Sequence, residues 1–109
     1  MRILIVDQLQ DQRTLLRVMC SGHWVKECKH STEALNKAKD FDVILTEVWF
    51  SGLAGQDYLD QLRKRTKGRI IVVTSQVYEE YEADVVIHKP YHKRQIMEAI
   101  NNTEHENNG

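Results

Sequence analysis

Five apolar runs of strand length, separated by segments of helical periodicity, constrain this chain more than any other feature. Ile3-Leu4-Ile5-Val6, Val43-Ile44-Leu45, Ile70-Ile71-Val72-Val73 and Val85-Val86-Ile87 are continuous and rich in β-branched residues, while Trp24–Cys28 alternates apolar and polar residues and suits an edge strand. Between them, Leu15, Leu16 and Met19 recur at helical spacing, so residues 10–20 read as a helix stopped at Ser21-Gly22. Ser31 is placed to cap a second helix with Ala34, Leu35 and Ala38 as its inner stripe. Ser51-Gly52 and Gly55 mark a loop before a third helix through Leu59 and Leu62, which Lys67-Gly68 ends. After Pro90 a last helix turns Ile96, Met97 and Ile100 inward, and the polar residues 101–109 are expected to fray.

Strict β/α alternation with all-apolar strands means a parallel sheet covered by helices on both faces. Right-handed crossovers leave few topologies, and five such strands point to the doubly wound order 2-1-3-4-5. The expected organisation is one domain over residues 1–102 and a flexible tail over 103–109. In sheets of this kind the functional crevice lies beyond the carboxyl ends of the strands, where the first and third diverge. Asp7 follows the first strand, Glu47 the third, Thr74 the fourth and Lys89 the fifth. Four polar groups from four separated segments therefore converge on one place.

Composition narrows the function classes. A length of 109 residues supports one domain with its own core. A formal net charge of −1 argues against a sequence-independent grip on nucleic acid. No apolar run is long enough to cross a bilayer, and the start of the chain does not read as a signal peptide, so a cytoplasmic location is expected. Cys20 and Cys28 lack metal-type spacing and read as two small, partly buried thiols. His88 and His92 flank Lys89-Pro90-Tyr91, where the proline breaks any shared helical face, so no metal site is expected there. A metabolic enzyme is not expected: no nucleophile–base pair is evident, and no glycine-rich phosphate loop follows the first strand.

The segments Ile3-Leu4-Ile5-Val6-Asp7, Asp42-Val43-Ile44-Leu45-Thr46-Glu47, Gly55, Ile71-Val72-Val73-Thr74 and Lys89-Pro90-Tyr91 occur in order with fitting spacing. Together they make the chain resemble, over nearly its whole length, a response-regulator receiver domain of the CheY-like, flavodoxin-like type. The resemblance implies a phosphoryl group accepted on an Asp at the end of the third strand. It also implies Mg²⁺ held by that Asp, by acidic residues after the first strand and by a backbone carbonyl, with Thr and Lys binding the phosphoryl oxygens. It further implies a cis Lys89-Pro90 bond.

The departures from that pattern are as informative. Glu47 stands at the phospho-acceptor position, one methylene longer than Asp. In-line transfer tolerates little misplacement, about 1 Å costing on the order of a hundredfold. Gln8 replaces the second acidic residue, which leaves Asp7 and Glu47 as weak metal candidates and at most weak Mg²⁺ binding as the expected cofactor chemistry. Asp11 either reaches in from the first helical turn or serves only as a favourable helix N-terminal charge. Two readings of Glu47 stay open: a partial imitation of the phosphorylated state through Lys89 and Thr74, or a relic in an unused pocket. Val86 occupies the place where the resemblance implies a switching aromatic, and neither Tyr78 nor Tyr81 matches that place. The stretch between Thr74 and Lys89 is too short for a full fourth helix, which is expected to be short or missing. Trp49 and Phe50 form an aromatic pair in the loop after Glu47, either a protein contact or a cap over the pocket.

These features lead to one expectation with two alternatives. The leading one is an atypical pseudo-receiver, acting in signal transduction or transcription regulation as a phosphorylation-independent protein-interaction module. Its partner would be a protein, with no membrane and no direct nucleic-acid contact. The alternatives are a phosphoryl-accepting receiver of a two-component phosphorelay, and the receiver portion of a DNA-binding regulator, for which a homodimer through the fourth- and fifth-strand face is expected. No DNA-binding output domain is expected within these residues.

Overall fold

The computed structural model describes residues 1–101; the expected tail over 103–109 lies outside them. The strands are β1 (Arg2–Val6), β2 (Trp24–Cys28), β3 (Val43–Thr46), β4 (Arg69–Thr74) and β5 (Val85–His88). The helices are α1 (Gln10–Met19), α2 (Ser31–Lys37), α3 (Gly55–Arg65) and α4 (Lys93–Asn101), with a 3₁₀ turn at Ala38–Asp40. All strand pairs are parallel, and the sheet order is β2-β1-β3-β4-β5. This is the doubly wound, flavodoxin-like arrangement.

Strand side chains alternate between two cores, as a pleated sheet covered on both faces requires. Leu4, Val6, Ile44, Ile70 and Val72 pack with Ala34, Leu35 and Ala38 and with Tyr58, Leu59 and Leu62 of α3. Ile3, Ile5, Val43, Leu45, Ile71 and Val73 face the other way, onto Leu16 and Cys20 beside α1 and onto Ile96, Ala99 and Ile100 of α4. Both cysteines are free and buried, and desolvation pushes their thiols up, Cys20 to about 11 and Cys28 to about 12.

Three local expectations are corrected. Leu15 is 45% exposed and Met97 42% exposed rather than inward. The buried stripe of α1 runs through Arg13 and Leu16 to Cys20, and Leu15 sits one residue, about 100°, away from it. Ser31 does not cap α2; it is the first helical residue, and its hydroxyl donates to the Leu53 carbonyl at 2.7 Å, tying the helix start to the loop before α3.

No helix occupies residues 75–84 between β4 and β5. The segment returns as a loop pinned at two points. The Asp84 carboxylate accepts the Ile70 N–H at 2.7 Å, and the Gln56 side-chain carbonyl accepts the Glu82 N–H at 2.8 Å. Among the described residues, no helix is long and apolar enough to cross a membrane.

Candidate functional site

The carboxyl ends of β1, β3 and β4 and the turn after β5 enclose a crevice of about 330 Å³, lined among others by Asp7, Gln8, Glu47, Trp49, Gln76 and Lys89. Each side chain is held by the backbone that delivers it. The Asp7 N–H donates to Cys28 O at 3.1 Å, and the Glu47 N–H to Val6 O at 2.9 Å, so both residues are extensions of the sheet ladder. The Lys89 N–H likewise donates to Thr74 O at 2.8 Å. Lys89-Pro90 is cis, as the resemblance implies.

The charged groups meet directly. Lys89 Nζ donates to Asp7 Oδ2 at 2.9 Å and to Glu47 Oε1 at 3.2 Å. The side chains are 15%, 4% and 9% exposed respectively, so this ion triad is largely out of water. The remaining carboxylate oxygens are also engaged. Asp7 Oδ1 accepts the Leu9 N–H at 2.9 Å, and Glu47 Oε2 curls back to accept the Val48 N–H at 2.7 Å. Every carboxylate oxygen of the pair therefore has a partner, as burial of polar groups requires.

Thr74 is fully buried, and its hydroxyl bonds to neither Glu47 nor the Lys89 ammonium. Its Oγ1 accepts the Gln76 N–H at 3.1 Å, forming the turn that leaves β4. Of the two partners named in the phosphorylated-state reading, the Glu47 carboxylate meets Lys89 but not Thr74. Gln8 is exposed at the mouth, and Asp11 stays on the exposed first turn of α1, where its charge faces the helix N-terminus.

The aromatic pair splits. Trp49 is 66% exposed at the crevice rim. Phe50 is 5% exposed and meets the Tyr58 ring edge-on at a centroid distance of 5.4 Å. Phe50 is thus a core residue, packed with the cluster on the α2–α3 side of the sheet. Gly55 closes that loop with φ +62°, its N–H donating to Val48 O at 2.8 Å, a conformation that favours glycine.

Three contributors escaped the sequence reading. Arg13 is buried, and its Nη1 donates to the Asp7 carbonyl at 2.8 Å and to the Gln8 carbonyl at 3.2 Å, clamping the turn after β1. Its Nε pairs with Glu27 at 3.1 Å, and Arg17 also bonds Glu27. Burial disfavours the Glu27 carboxylate, but the Arg17 and Arg13 hydrogen bonds outweigh it and hold the group below the usual glutamate range. Thr46 shares its hydroxyl between Glu47 O at 2.7 Å and Tyr58 Oη at 2.8 Å, linking the crevice to α3. Tyr81, half-buried, packs against the core on the α2–α3 side; burial, then Glu79 and Glu47, push its phenol up. A signal for Arg13 was present in its place on the apolar stripe of α1.

The sequence matches the family described as the response regulator receiver domain over residues 3–101. The chain belongs to that family. Receivers are signalling modules of response regulators, and this receiver has their fold throughout. It is similar to a CheY-like receiver domain protein from Methanospirillum hungatei, at 26% identity and a TM-score of 0.81, covering 99% of this chain and 98% of that one. The response regulator TrrA from Thermotoga maritima, in complex with Mg²⁺-BeF, shares the fold at 23% identity and a TM-score of 0.81, covering 93% of this chain and 96% of that one. TrrA in complex with the histidine kinase ThkA gives 24% identity and a TM-score of 0.75 over the same shares of the two chains. A comparison with curated proteins returns no match.

A receiver's Mg²⁺ would have to be held here by Asp7 and Glu47. The donor set does not fit it. Both carboxylates are bridged by the Lys89 ammonium, Gln8 supplies only a neutral carbonyl, and no group of three or more His, Cys, Asp or Glu able to hold a metal occurs among the described residues.

Proposed function

We propose that this receiver works with its crevice closed by an internal ion triad, as a phosphorylation-independent protein-interaction module in signal transduction. The observation that carries the reading is the Lys89 ammonium bonded to Asp7 at 2.9 Å and Glu47 at 3.2 Å. In a phosphoryl-accepting receiver that ammonium binds the incoming phosphoryl oxygens, whereas here it neutralises two carboxylates of the protein itself. Glu47 is also a poor nucleophile for in-line attack. Its second oxygen accepts the Val48 N–H at 2.7 Å, and the added methylene displaces the carboxylate from the Asp position.

The partner is a protein that reads the rim. Trp49 on the β3–α3 loop and Val77 and Tyr78 on the helix-free segment are all exposed. Solvent-accessible Trp and Tyr supply large contact area at low entropic cost. TrrA, which shares this fold, forms a complex with a histidine kinase. Such signalling proteins are the partner class to test.

The test is intact-protein mass after incubation with acetyl phosphate and Mg²⁺. The expected result is an unmodified protein. A phosphoryl adduct mapped to Glu47 would refute the reading in favour of a phosphoryl-accepting receiver. Unchanged amide NMR spectra with Mg²⁺ and beryllium fluoride would support it independently.

A further inference from the structure

Residues 75–84 leave β4 without forming a helix, and one tyrosine of that loop stands clear of the fold. We propose that Tyr78 is a phosphorylation site, its phenol accepting the γ-phosphoryl group of a nucleoside triphosphate held by a protein-tyrosine kinase.

Accessibility separates the four tyrosines of the chain. Tyr58 is fully buried, and its hydroxyl shares a hydrogen bond with Thr46 Oγ1 at 2.8 Å. The Tyr91 hydroxyl is buried. Tyr81 is half-buried against the core on the α2–α3 side. Tyr78 is 97% exposed, so its ring can enter another protein's active site without any part of the core opening.

The backbone around Tyr78 is equally available. Thr74 Oγ1 holds the Gln76 N–H at 3.1 Å. The Gln56 side-chain amide clasps Glu82 on both sides, accepting its N–H at 2.8 Å and donating to its carbonyl at 3.3 Å. Between these anchors, residues 77–81 make no hydrogen bond among the described residues. A protein that binds a peptide as an extended strand pairs with its main-chain groups. Residues 77–81 can offer theirs without breaking a hydrogen bond of the fold, and fully extended they reach about 17 Å.

Charge favours the same residue. Glu79 and Glu80 follow Tyr78 directly and Glu82 comes soon after, all three exposed. No Lys or Arg occurs from residue 75 to residue 88. Carboxylates on one side of the acceptor complement a cationic substrate groove and steer the encounter with it.

In the transfer, the phenol oxygen bonds to the γ-phosphorus, the bond from that phosphorus to the β–γ bridging oxygen breaks, and the nucleoside diphosphate leaves. The phenol proton passes to a base of the kinase. The aryl phosphate carries a charge of about −1.5 to −2 at neutral pH, beside two glutamates. No member of the crevice triad takes part. Phosphorylation thus acts on this receiver as a change of surface charge on the segment that lacks the fourth helix. Its effect on a partner rests on the reading of the rim given above; the modification itself does not.

The test is incubation of the intact protein with MgATP and a broad-specificity protein-tyrosine kinase, followed by peptide mapping by mass. One phosphoryl adduct, on Tyr78, is expected, and none in Y78F. E79Q/E80Q should slow labelling about threefold to tenfold, by loss of two exposed charge contacts. Hydroxylamine cleaves an acyl phosphate and spares an aryl phosphate, so an adduct on Glu47, which bears on the crevice reading alone, is told apart from one on Tyr78. No labelling of Tyr78, labelling of Tyr81 at an equal rate, or equal labelling of E79Q/E80Q would overturn the proposal. Both variants replace exposed side chains and are expected to fold.

Discussion

Replacing Lys89 by Met removes the positive centre of the ion triad while keeping most of its side-chain volume. Asp7 and Glu47 would then be left as two carboxylates, 4% and 9% exposed, with no cation between them. Each attraction at about 3 Å is worth roughly 5 kcal/mol gross at an effective dielectric of 20, and desolvation of the three groups offsets much of it. The cost of removing one partner is larger than the net worth of the pair, because the other charges stay buried; breaking buried pairs costs about 3–5 kcal/mol. Lys89 is 15% exposed, so water reaches the site from one side, and the expected loss is near the lower end, about 3 kcal/mol. For a domain of this size, with about 5–15 kcal/mol in total, that is a large fraction. Urea unfolding at neutral pH measures it. The double variant K89M/E47Q should lose less than the sum of the two single variants, by at least about 1 kcal/mol, since a neutral amide in place of the Glu47 carboxylate no longer needs a cation. A K89M loss below about 1 kcal/mol, with additive effects, would mean that the crevice is hydrated and the triad does not hold it shut.

Gly68→Ala should destabilise by about 1–3 kcal/mol in the same unfolding assay, because the added methyl meets backbone carbonyls at 2.6 and 2.7 Å that cannot rotate away. Phe50→Ala should cost about 3–5 kcal/mol by emptying a core position, while Trp49→Ala should change stability by less than about 1 kcal/mol yet abolish partner binding; equal costs for the two would refute the inward–outward division of that loop. Glu27 has a folded pKa below its unfolded value, so its stabilisation is present above about pH 4.5 and is lost as pH falls through the folded value. Glu27→Gln should therefore flatten the acid limb of the stability profile by about 1 kcal/mol or less, measured by urea midpoints from pH 7 down to pH 3. The double substitution Glu47→Asp with Gln8→Asp should restore Mg²⁺-dependent amide shifts and phosphorylation by acetyl phosphate; failure of both would show that the crevice has diverged beyond those two side chains.

The β/α alternation determined the architecture, because side-chain period and strand length are local properties. Five apolar runs joined by helical segments allow few sheets, and right-handed crossovers select the observed order. The same argument brought Asp7, Glu47, Thr74 and Lys89 to one end of the sheet, since residues that follow parallel strands share an edge whatever their separation in sequence. The missing fourth helix was legible in chain length alone. Loop and helix-surface orientations were not. Trp49 and Phe50 are adjacent and both aromatic, and no period tells which ring turns inward; the neighbouring Tyr58 ring decided that. On α1, Arg13 is buried and Leu15 is not, because a charged residue goes inside where carbonyls and a carboxylate are waiting for it. Whether Glu47 would meet Lys89, Thr74 or solvent also lay beyond the sequence. A carboxylate chooses among partners by differences of tenths of an ångström and by how much water the fold excludes, and only the packed structure sets both.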